Sequence, residues 1–282
     1  MSLKTFTRKH DYLICFDSDG CAMDTMKIKH LECFGPTMVE EWGLEKWKDE
    51  LLERWNEINL YSATRGVNRF RALAIALREV DMKYTPIEGL EDLEKFAATA
   101  TELSNETLET LIPQTGSICL QKVLNWSRNV NSRISLISMY QKLPFAGVKD
   151  ALNLSGEIAD VVIVSSANEQ AVREEWQYYG LLDSVDDVFA QDVGAKDYII
   201  NELLKHGYEK EKVVMVGDAP GDREAAIATG IHYFPILFGR EEECWREFIS
   251  YGLRRLQEGR FSEEYQGALD TFFLKHLQQK KD

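Results

Sequence analysis

Residues 12–20 have the sequence YLICFDSDG, and this stretch decides the interpretation of the fold. Tyr12 to Phe16 form a short run rich in strand-forming residues, and the polar stretch Asp17-Ser18-Asp19-Gly20 follows directly. A short apolar run that ends in a turn-like polar segment is typical of a buried strand followed by a loop. We therefore predict a strand over residues 12–16 with two carboxylates just beyond its end.

Later parts of the chain repeat this pattern. Residues 161–164 (VVIV) precede Ser165-Ser166, residues 213–216 (VVMV) precede Gly217-Asp218, and weaker strand candidates lie at 187–189 and 232–238. Helical patterns lie between the runs and each ends at a glycine: 169–179 before Gly180, 196–206 before Gly207 and 222–229 before Gly230. The alternation predicts an α/β fold, with a parallel sheet in a Rossmann-like three-layer core. In such sheets the ligand site lies beyond the carboxyl ends of the strands.

One long segment interrupts the alternation. From about Met26 to about Asn131 strand-like runs are absent and helical spacing dominates, and residues 143–147 (LPFAG) indicate the return to the core. We predict a discontinuous core of residues 1–24 and 140–282 and an inserted all-helical cap domain of residues 25–139. Residues 241–282 are expected to add two amphipathic helices.

Composition narrows the classes of function. The chain has 282 residues, and 47 acidic residues against 33 Lys and Arg give a formal charge of −14. Such a charge disfavours broad contact with nucleic acid or anionic lipid, so small molecules are the expected partners.

Neither the cysteines nor the hydropathy indicate export or a membrane. The five cysteines are scattered without a CxxC pair, which argues against a disulfide framework and a structural zinc site. Residues 1–10 lack an apolar signal core, and no window approaches the roughly 18 apolar residues of a membrane span. We expect a soluble cytoplasmic protein.

Two pairs of carboxylates follow predicted strands. Asp17 and Asp19 are two residues apart, and Asp218 and Asp222 are four apart. Carboxylates that converge at one sheet edge repel one another unless a cation lies between them, and oxygen ligands suit a hard divalent ion such as Mg²⁺. Each Asp alone is more often a helix cap or turn residue. A calcium loop is excluded for residues 17–20 because Gly20 falls two positions too early.

Ser165 and Lys196 acquire meaning from their order in the chain. Ser165 ends a predicted strand and Lys196 opens a predicted helix, where a capping hydroxyl and a solvated lysine are the ordinary interpretations. The order is strand and DxDG, strand and Ser, Lys, and then strand and GDxxxD. Chance seldom supplies this arrangement in a chain of this length.

This arrangement resembles the haloacid dehalogenase-like superfamily, in the phosphatase and β-phosphoglucomutase-like branch whose helical cap is inserted after the first motif. Residues 144–148 (PFAGV), 164–168 (VSSAN) and 217–222 (GDAPGD) are close to the family's patterns. The resemblance covers residues 12–24 and about 143–238. The cap and the C-terminal helices match only in type.

The resemblance implies a role for each motif residue. Asp17 would be the nucleophile that forms an aspartyl-phosphate, and Asp19 the general acid and base. Mg²⁺ would be held by Asp17, by the backbone carbonyl of Asp19 and by Asp218, with Asp222 acting through water. Ser165 and Lys196 would hold the phosphoryl oxygens.

Further residues are candidates for binding substrate. These are Gly20 and Asn168 near the motifs and Arg69 in the cap segment. The chain departs from the family at Cys21, where Thr or a small aliphatic residue is usual, and at Asp197, where many relatives carry Pro. A redox-sensitive thiol is one interpretation of Cys21, but a small buried hydrophobe is favoured.

Among the reactions of the superfamily, a phosphatase acting on a small phosphorylated metabolite is favoured. Asp19 argues against dehalogenation, which needs no general acid. A sugar-phosphate mutase is the first alternative, because Arg65 and Arg69 in the segment RGVNR match the place where such mutases hold a second phosphate. A catalytically silent binding protein is the second alternative, although none of the motif residues is lost.

Overall fold

The computed structural model describes residues 3–278, which form two compact units. The sheet unit comprises residues 3–26 and 138–278, and the helical unit comprises residues 27–137. No helix among the described residues is long and apolar enough to cross a membrane.

The helical unit contains no strand among its residues 27–137. A π-helical turn (Lys29–Phe34) and a 3-10 turn (Glu45–Trp47) accompany its α-helices. The first helix, α1 (Met26–Ile28), begins one residue before the start of the helical unit. The others are α2 (Gly35–Trp42), α3 (Lys48–Leu60), α4 (Arg69–Lys83), α5 (Leu90–Thr99), α6 (Asn105–Thr115) and α7 (Ile118–Leu136).

Aromatic side chains dominate the core of the helical unit. Trp55 and Trp126 are fully buried, and their rings meet edge to face at 6.0 Å. The Trp126 indole N–H donates to the Phe34 carbonyl, so the polar end of this buried ring has a partner. Trp42 and Trp47 are partly buried against the same core. The tryptophans of this segment therefore serve packing rather than an open stacking surface.

The sheet unit contains a five-stranded, fully parallel sheet. Its order is β3-β2-β1-β4-β5, and the register aligns Phe16 with Ile163 on one side and with Val216 on the other. The strands are β1 (Tyr12–Phe16), β2 (Ala159–Val164), β3 (Asp187–Phe189), β4 (Val213–Gly217) and β5 (His232–Pro235). The predicted α/β fold class is thus confirmed.

Helices α8 to α11 alternate with these strands, and α12 to α14 follow β5. The helices are α8 (Val148–Gly156), α9 (Glu169–Tyr178), α10 (Lys196–Leu204), α11 (Pro220–Thr229), α12 (Glu241–Glu247), α13 (Leu253–Gln257) and α14 (Glu263–Gln278). Single turns lie at Leu3–Thr5, Met139–Gln141, Leu182–Ser184, Lys210–Lys212 and, as a π-turn, Phe248–Gly252. Because β1 and β4 are neighbours while β2 and β3 lie on the other side of β1, the strand order reverses at β1 and β4. The crevice beyond their carboxyl ends is the usual ligand position in such sheets.

The opposite end of the sheet is closed by a buried carboxylate. Asp160, the second residue of β2, is fully buried and accepts hydrogen bonds from the Lys9 and His10 amides and from the Tyr208 hydroxyl. These bonds satisfy a charge that burial alone would make costly. They tie the N-terminal segment to the amino ends of the strands.

The edge strand β5 is covered by α14. The Gln266 side-chain amide accepts a hydrogen bond from the Tyr233 amide at 3.0 Å and donates one to the Tyr233 carbonyl at 2.9 Å. Phe273 of the same helix packs edge to face on the Tyr233 ring at 5.5 Å. The prediction of a strand over 232–238 was too long, because β5 ends at Pro235. The Ile236 amide still donates to the Gly217 carbonyl at 2.8 Å, but β4 ends at Gly217, so the following residues have no strand to pair with.

Candidate active site

Three predicted site residues follow three adjacent strands. Asp17 comes directly after β1, Ser165 after β2 and Asp218 after β4. The Asp17 amide donates to the Val216 carbonyl at 2.9 Å, so the hydrogen bonds of β1 and β4 continue up to the carboxylate. The reversal of strand order therefore places Asp17 and Asp218 on adjoining chains.

Three carboxylates converge at this point. Side-chain oxygens of Asp17, Asp218 and Asp222 all lie within 4.8 Å of one another, and all three residues are buried. Asp222 is the third residue of α11, and its carboxylate accepts a hydrogen bond from the Ala219 amide at 3.0 Å. The four-residue spacing of the GDxxxD motif thus joins the end of a strand to the first turn of a helix.

Lys196 supplies the neighbouring positive charge. Its Nζ lies 2.7 Å from Asp17 Oδ1 and 2.5 Å from Asp222 Oδ1, and only 10% of its side chain is exposed. Lys196 is the first residue of α10, as the sequence predicted. One ammonium against three carboxylates leaves the cluster with a negative charge that suits a divalent cation.

The electrostatics of the cluster are mutually dependent. Burial, together with the Asp222 and Asp218 carboxylates, raises the pKa of Asp17 well above its ordinary value, although the Lys196 ammonium acts in the opposite direction. Burial by itself would lower the pKa of Lys196, but the Asp17 and Asp222 carboxylates outweigh it, so that pKa lies above its ordinary value. The lysine therefore stays charged at neutral pH.

Gly217 leaves the space that Asp222 occupies. A Cβ at this position would lie 2.3 Å from the Asp222 Cγ and 2.4 Å from its Oδ2. Only a residue without a side chain allows the carboxylate to turn back over the end of β4. The glycine of the GDxxxD motif is therefore required by packing.

Asp19 lies outside the carboxylate cluster. It is half-buried, and its Oδ1 accepts a hydrogen bond from the Thr25 hydroxyl at 2.5 Å. Gly20 has a φ of +83°, and its amide donates to the Met23 carbonyl. The binding of substrate by Gly20 and the metal contact of the Asp19 carbonyl stay predictions.

The remaining predicted site residues have local partners. Ser165 is buried, and its hydroxyl accepts a hydrogen bond from the Ala167 amide at 3.2 Å. Asn168 is the exposed N-cap of α9, where its side-chain oxygen accepts from the Ala171 amide. Cys21 is fully buried, which fits the interpretation as a small hydrophobe.

Arg69 is bound within the helical unit. It is the first residue of α4, and its guanidinium donates to Asn131 Oδ1 at 2.7 Å and to Ser127 Oγ at 3.3 Å while lying over the Phe34 ring. Arg65 is buried and donates to the Leu60 carbonyl. Arg65 is therefore not part of a solvated surface.

Sequence reasoning missed three side chains that contact the DxDG loop. Thr25 binds Asp19, the Trp176 indole N–H donates to Ser18 Oγ at 2.9 Å, and the Trp245 indole N–H donates to the Cys21 carbonyl at 3.1 Å. Thr25 is close enough in sequence to have been considered. The two tryptophans are 158 and 224 residues away from their partners, and no local pattern identifies them.

The comparison with protein families bears on this geometry. The sequence profile described as "Haloacid dehalogenase-like hydrolase" matches residues 90–236, which is more than half of the chain. The chain belongs to the haloacid dehalogenase-like hydrolase family. Ser165, Lys196, Asp218 and Asp222 lie inside the matched range, whereas Asp17 and Asp19 precede it. The fold brings Asp17 alongside Lys196, Asp218 and Asp222. The family resemblance of the motifs is confirmed.

Several solved structures are similar to this chain in fold. A protein from Bacteroides fragilis described as a haloacid dehalogenase-like hydrolase has a TM-score of 0.53 at 13% identity, over 83% of this chain and 93% of its own. One from Lactobacillus delbrueckii described as a phosphoglycolate phosphatase has a TM-score of 0.49 at 18% identity, over 80% of this chain and 85% of its own. One from Thermotoga maritima described as a β-phosphoglucomutase has a TM-score of 0.45 at 17% identity, over the same shares. No curated protein sequence matches the chain significantly.

Membership of the haloacid dehalogenase-like family makes the carboxylate cluster a candidate metal centre. The family generally uses a divalent metal. The donor set of this chain fits such an ion, because three buried carboxylates converge and a single ammonium offsets only part of their charge. Asp17, Asp218 and Asp222 are the side chains that could hold it.

Proposed function

We propose that this haloacid dehalogenase-like hydrolase is a Mg²⁺-dependent phosphatase that hydrolyses small phosphate monoesters through an aspartyl-phosphate on Asp17. The observation that carries the proposal is the position of the Asp17 carboxylate. It contacts the Lys196 ammonium, which also contacts Asp222, and it lies close to the carboxylates of Asp218 and Asp222. Asp19, two residues later, is bound by Thr25 outside this cluster.

In the first step Asp17 acts as the nucleophile. A carboxylate oxygen attacks phosphorus in line, the bond from phosphorus to the ester oxygen breaks, and the departing alkoxide takes a proton from Asp19. In the second step Asp19, now a carboxylate, accepts a proton from water as the water oxygen attacks the phosphorus. The acyl-phosphate bond breaks, and Asp17 and inorganic phosphate are released.

The neighbouring residues offset charge during both steps. Lys196, which stays charged beside Asp17, and the Ser165 hydroxyl would hold the phosphoryl oxygens, and the lysine would reduce the repulsion between Asp17 and an anionic substrate. Mg²⁺, when bound by Asp17, Asp218 and the Asp19 carbonyl, with Asp222 acting through water, would neutralise the carboxylates and polarise the phosphoryl group. We further propose that residues 25–139 form the cap domain of this enzyme and that the substrate is a small phosphorylated metabolite.

No observation favours the two alternatives. The mutase interpretation depended on Arg65 and Arg69, and both arginines have partners inside the helical unit. A silent binding protein would not need a lysine and three carboxylates gathered at one point.

The test begins with the purified full chain and p-nitrophenyl phosphate, with Mg²⁺ or with a chelator, followed by a panel of phosphorylated metabolites. We expect turnover that requires the metal. We also expect a phosphorylated form of the enzyme that hydroxylamine cleaves, because hydroxylamine cleaves acyl phosphates. Asp17→Asn should abolish both while the melting temperature stays close to that of the wild type. If Asp17→Asn retains activity within about tenfold of the wild type, the nucleophile is wrongly assigned. Isomerised sugar phosphate instead of free phosphate would establish the mutase.

A further inference from the structure

Two buried indole groups hold the catalytic loop, by which we mean residues 17–24. Trp176 of α9 donates to the Ser18 hydroxyl, and Trp245 of α12 donates to the Cys21 carbonyl at 3.1 Å. Both tryptophans are 0% exposed. The loop that carries the nucleophile and the general acid is thus fixed by two side chains far away in the sequence.

The loop is tightly folded around the contact with Trp245. The amides of Ala22 and Met23 donate to the Ser18 carbonyl, and the Gly20 amide donates to the Met23 carbonyl. The Phe145 amide donates to the Ala22 carbonyl, next to the carbonyl that Trp245 holds. Because the Cys21 residue is fully buried, its carbonyl needs a donor from the protein, and the Trp245 N–H is that donor.

Trp245 belongs to a part of the chain outside the family match. The match ends at residue 236, and α12 begins at Glu241. The helix approaches closely because Gly147 has no side chain: a Cβ there would lie 3.1 Å from the Trp245 Cβ. The indole also packs on Phe16, the residue before Asp17, with ring centroids 5.5 Å apart.

We propose that Trp245 is a positioning residue for the general acid and base. By holding the Cys21 carbonyl it fixes the turn that follows Asp19 and Gly20, and so keeps the Asp19 carboxyl at a set distance from Asp17. The C-terminal segment thereby contributes to the chemistry without touching the substrate. The proposal rests on the proposed phosphatase function, in which Asp19 protonates the leaving group.

The test compares two substitutions in the same aromatic cluster. Trp245→Phe keeps a ring in place and removes the N–H group. Phe248→Leu is the matched control, because Phe248 is also fully buried and packs on both Phe16 and Trp245, and its hydrocarbon side chain offers no hydrogen bond to the loop. Both variants lose packing, but only the first loses the bond to the Cys21 carbonyl.

The first measurement is amide hydrogen exchange of residues 17–24, which does not depend on activity. Trp245→Phe should raise the exchange rates of the Gly20 and Met23 amides by about tenfold or more over those in Phe248→Leu. Equal rates in the two variants would overturn the proposal. Should Trp245→Phe not fold, the wild-type indole proton of Trp245 is followed by NMR: exchange as slow as that of the loop amides supports the proposal, and exchange as fast as that of an exposed indole overturns it.

The second measurement is the ratio of kcat/KM for p-nitrophenyl phosphate to that for an alkyl phosphate. Only the alkyl leaving group needs the Asp19 proton, so Trp245→Phe should lose about 10- to 100-fold with the alkyl ester and much less with the nitrophenyl ester. Equal losses with both esters would show that Trp245 has a merely structural role. A wild-type protein without turnover would refute the phosphatase function, and the exchange rates would still decide whether Trp245 holds the loop.

Discussion

Gly217→Ala tests the packing on which the carboxylate cluster depends. The new methyl group would lie 2.3 to 2.5 Å from the Cγ, Oδ2 and Cβ atoms of Asp222. Contacts this short do not occur in folded proteins, so either the end of β4 or the Asp222 side chain must move. Asp222 is 0% exposed and is held by the Ala219 amide and by Lys196, so it has no open space to enter.

The expected cost combines two effects. Inserting a methyl group into a closely packed site destabilises a protein by about 1–3 kcal/mol. Displacing Asp222 also weakens its charged hydrogen bond with the Ala219 amide, a kind of bond that contributes about 1.5–3 kcal/mol. The better strand propensity of alanine returns only about 0.5–1 kcal/mol. We expect the free energy of unfolding to fall by about 2–4 kcal/mol, and the affinity for Mg²⁺ to fall by about tenfold or more.

Urea unfolding and calorimetric titration with Mg²⁺ measure these two quantities. Gly221→Ala is the matched control, since a Cβ at this helical position would meet nothing within 4 Å. That control should leave the metal affinity unchanged and leave stability equal or higher, because alanine is the better helix former. If Gly217→Ala unfolds at the wild-type urea midpoint and binds Mg²⁺ as the wild type does, our account of Gly217 and Asp222 is wrong.

Three further changes probe other parts of the sheet unit. Asp19→Ala should reduce kcat with alkyl phosphates far more than with p-nitrophenyl phosphate, because only alkoxide leaving groups need a proton; equal losses would contradict the general-acid role. Asp160→Asn should lower the free energy of unfolding, measured in urea, by about 2–4 kcal/mol, because Asp160 is a buried hydrogen-bond acceptor. The kcat should stay unchanged, because Asp160 lies at the end of the sheet remote from Asp17. A variant as stable as the wild type would contradict this role of Asp160. Burial lowers the pKa of His232 below its ordinary value of 6.5. This histidine therefore contributes stability that is fully present above pH 6.5 and is lost as the pH falls from 6.5 towards the lowered pKa. In His232→Gln the loss of stability between about pH 8 and about pH 5 should therefore be smaller, and an unchanged loss would show that His232 is not the group responsible.

The sequence alone was sufficient to predict the parallel sheet and the proximity of Asp17 and Asp218. The apolar runs at 12–16 and 213–216 coincide with β1 and β4, because strands buried on both faces are continuously apolar. Residues that directly follow such strands must meet at one sheet edge, so Asp17 and Asp218 could be placed together from the sequence alone. Lys196 could be placed only through the resemblance to a family, since the chain gives no local sign that a helix-opening lysine points at Asp17.

The contacts that orient the loop were beyond sequence reasoning. The Trp176 and Trp245 indoles reach Ser18 and Cys21 only because helices from distant parts of the chain place them against the loop that follows β1. Hydrophobic periodicity identifies such tryptophans as buried but does not indicate which carbonyl or hydroxyl their N–H group will find. The same limit applies to Arg69, whose partners lie on α7, about 60 residues later.

The side-chain amide of Gln266 occupies both outward-facing backbone groups of Tyr233, as a neighbouring strand would. An uncovered β5 would present a template on which a strand of another molecule could assemble, and such open edges promote aggregation. Helix α14 therefore covers this edge and prevents a sixth strand from pairing with β5. Shortened versions of this chain made for crystallisation or for fusion should retain residues 263–278, because their removal would expose the backbone groups at the edge of β5 and promote aggregation.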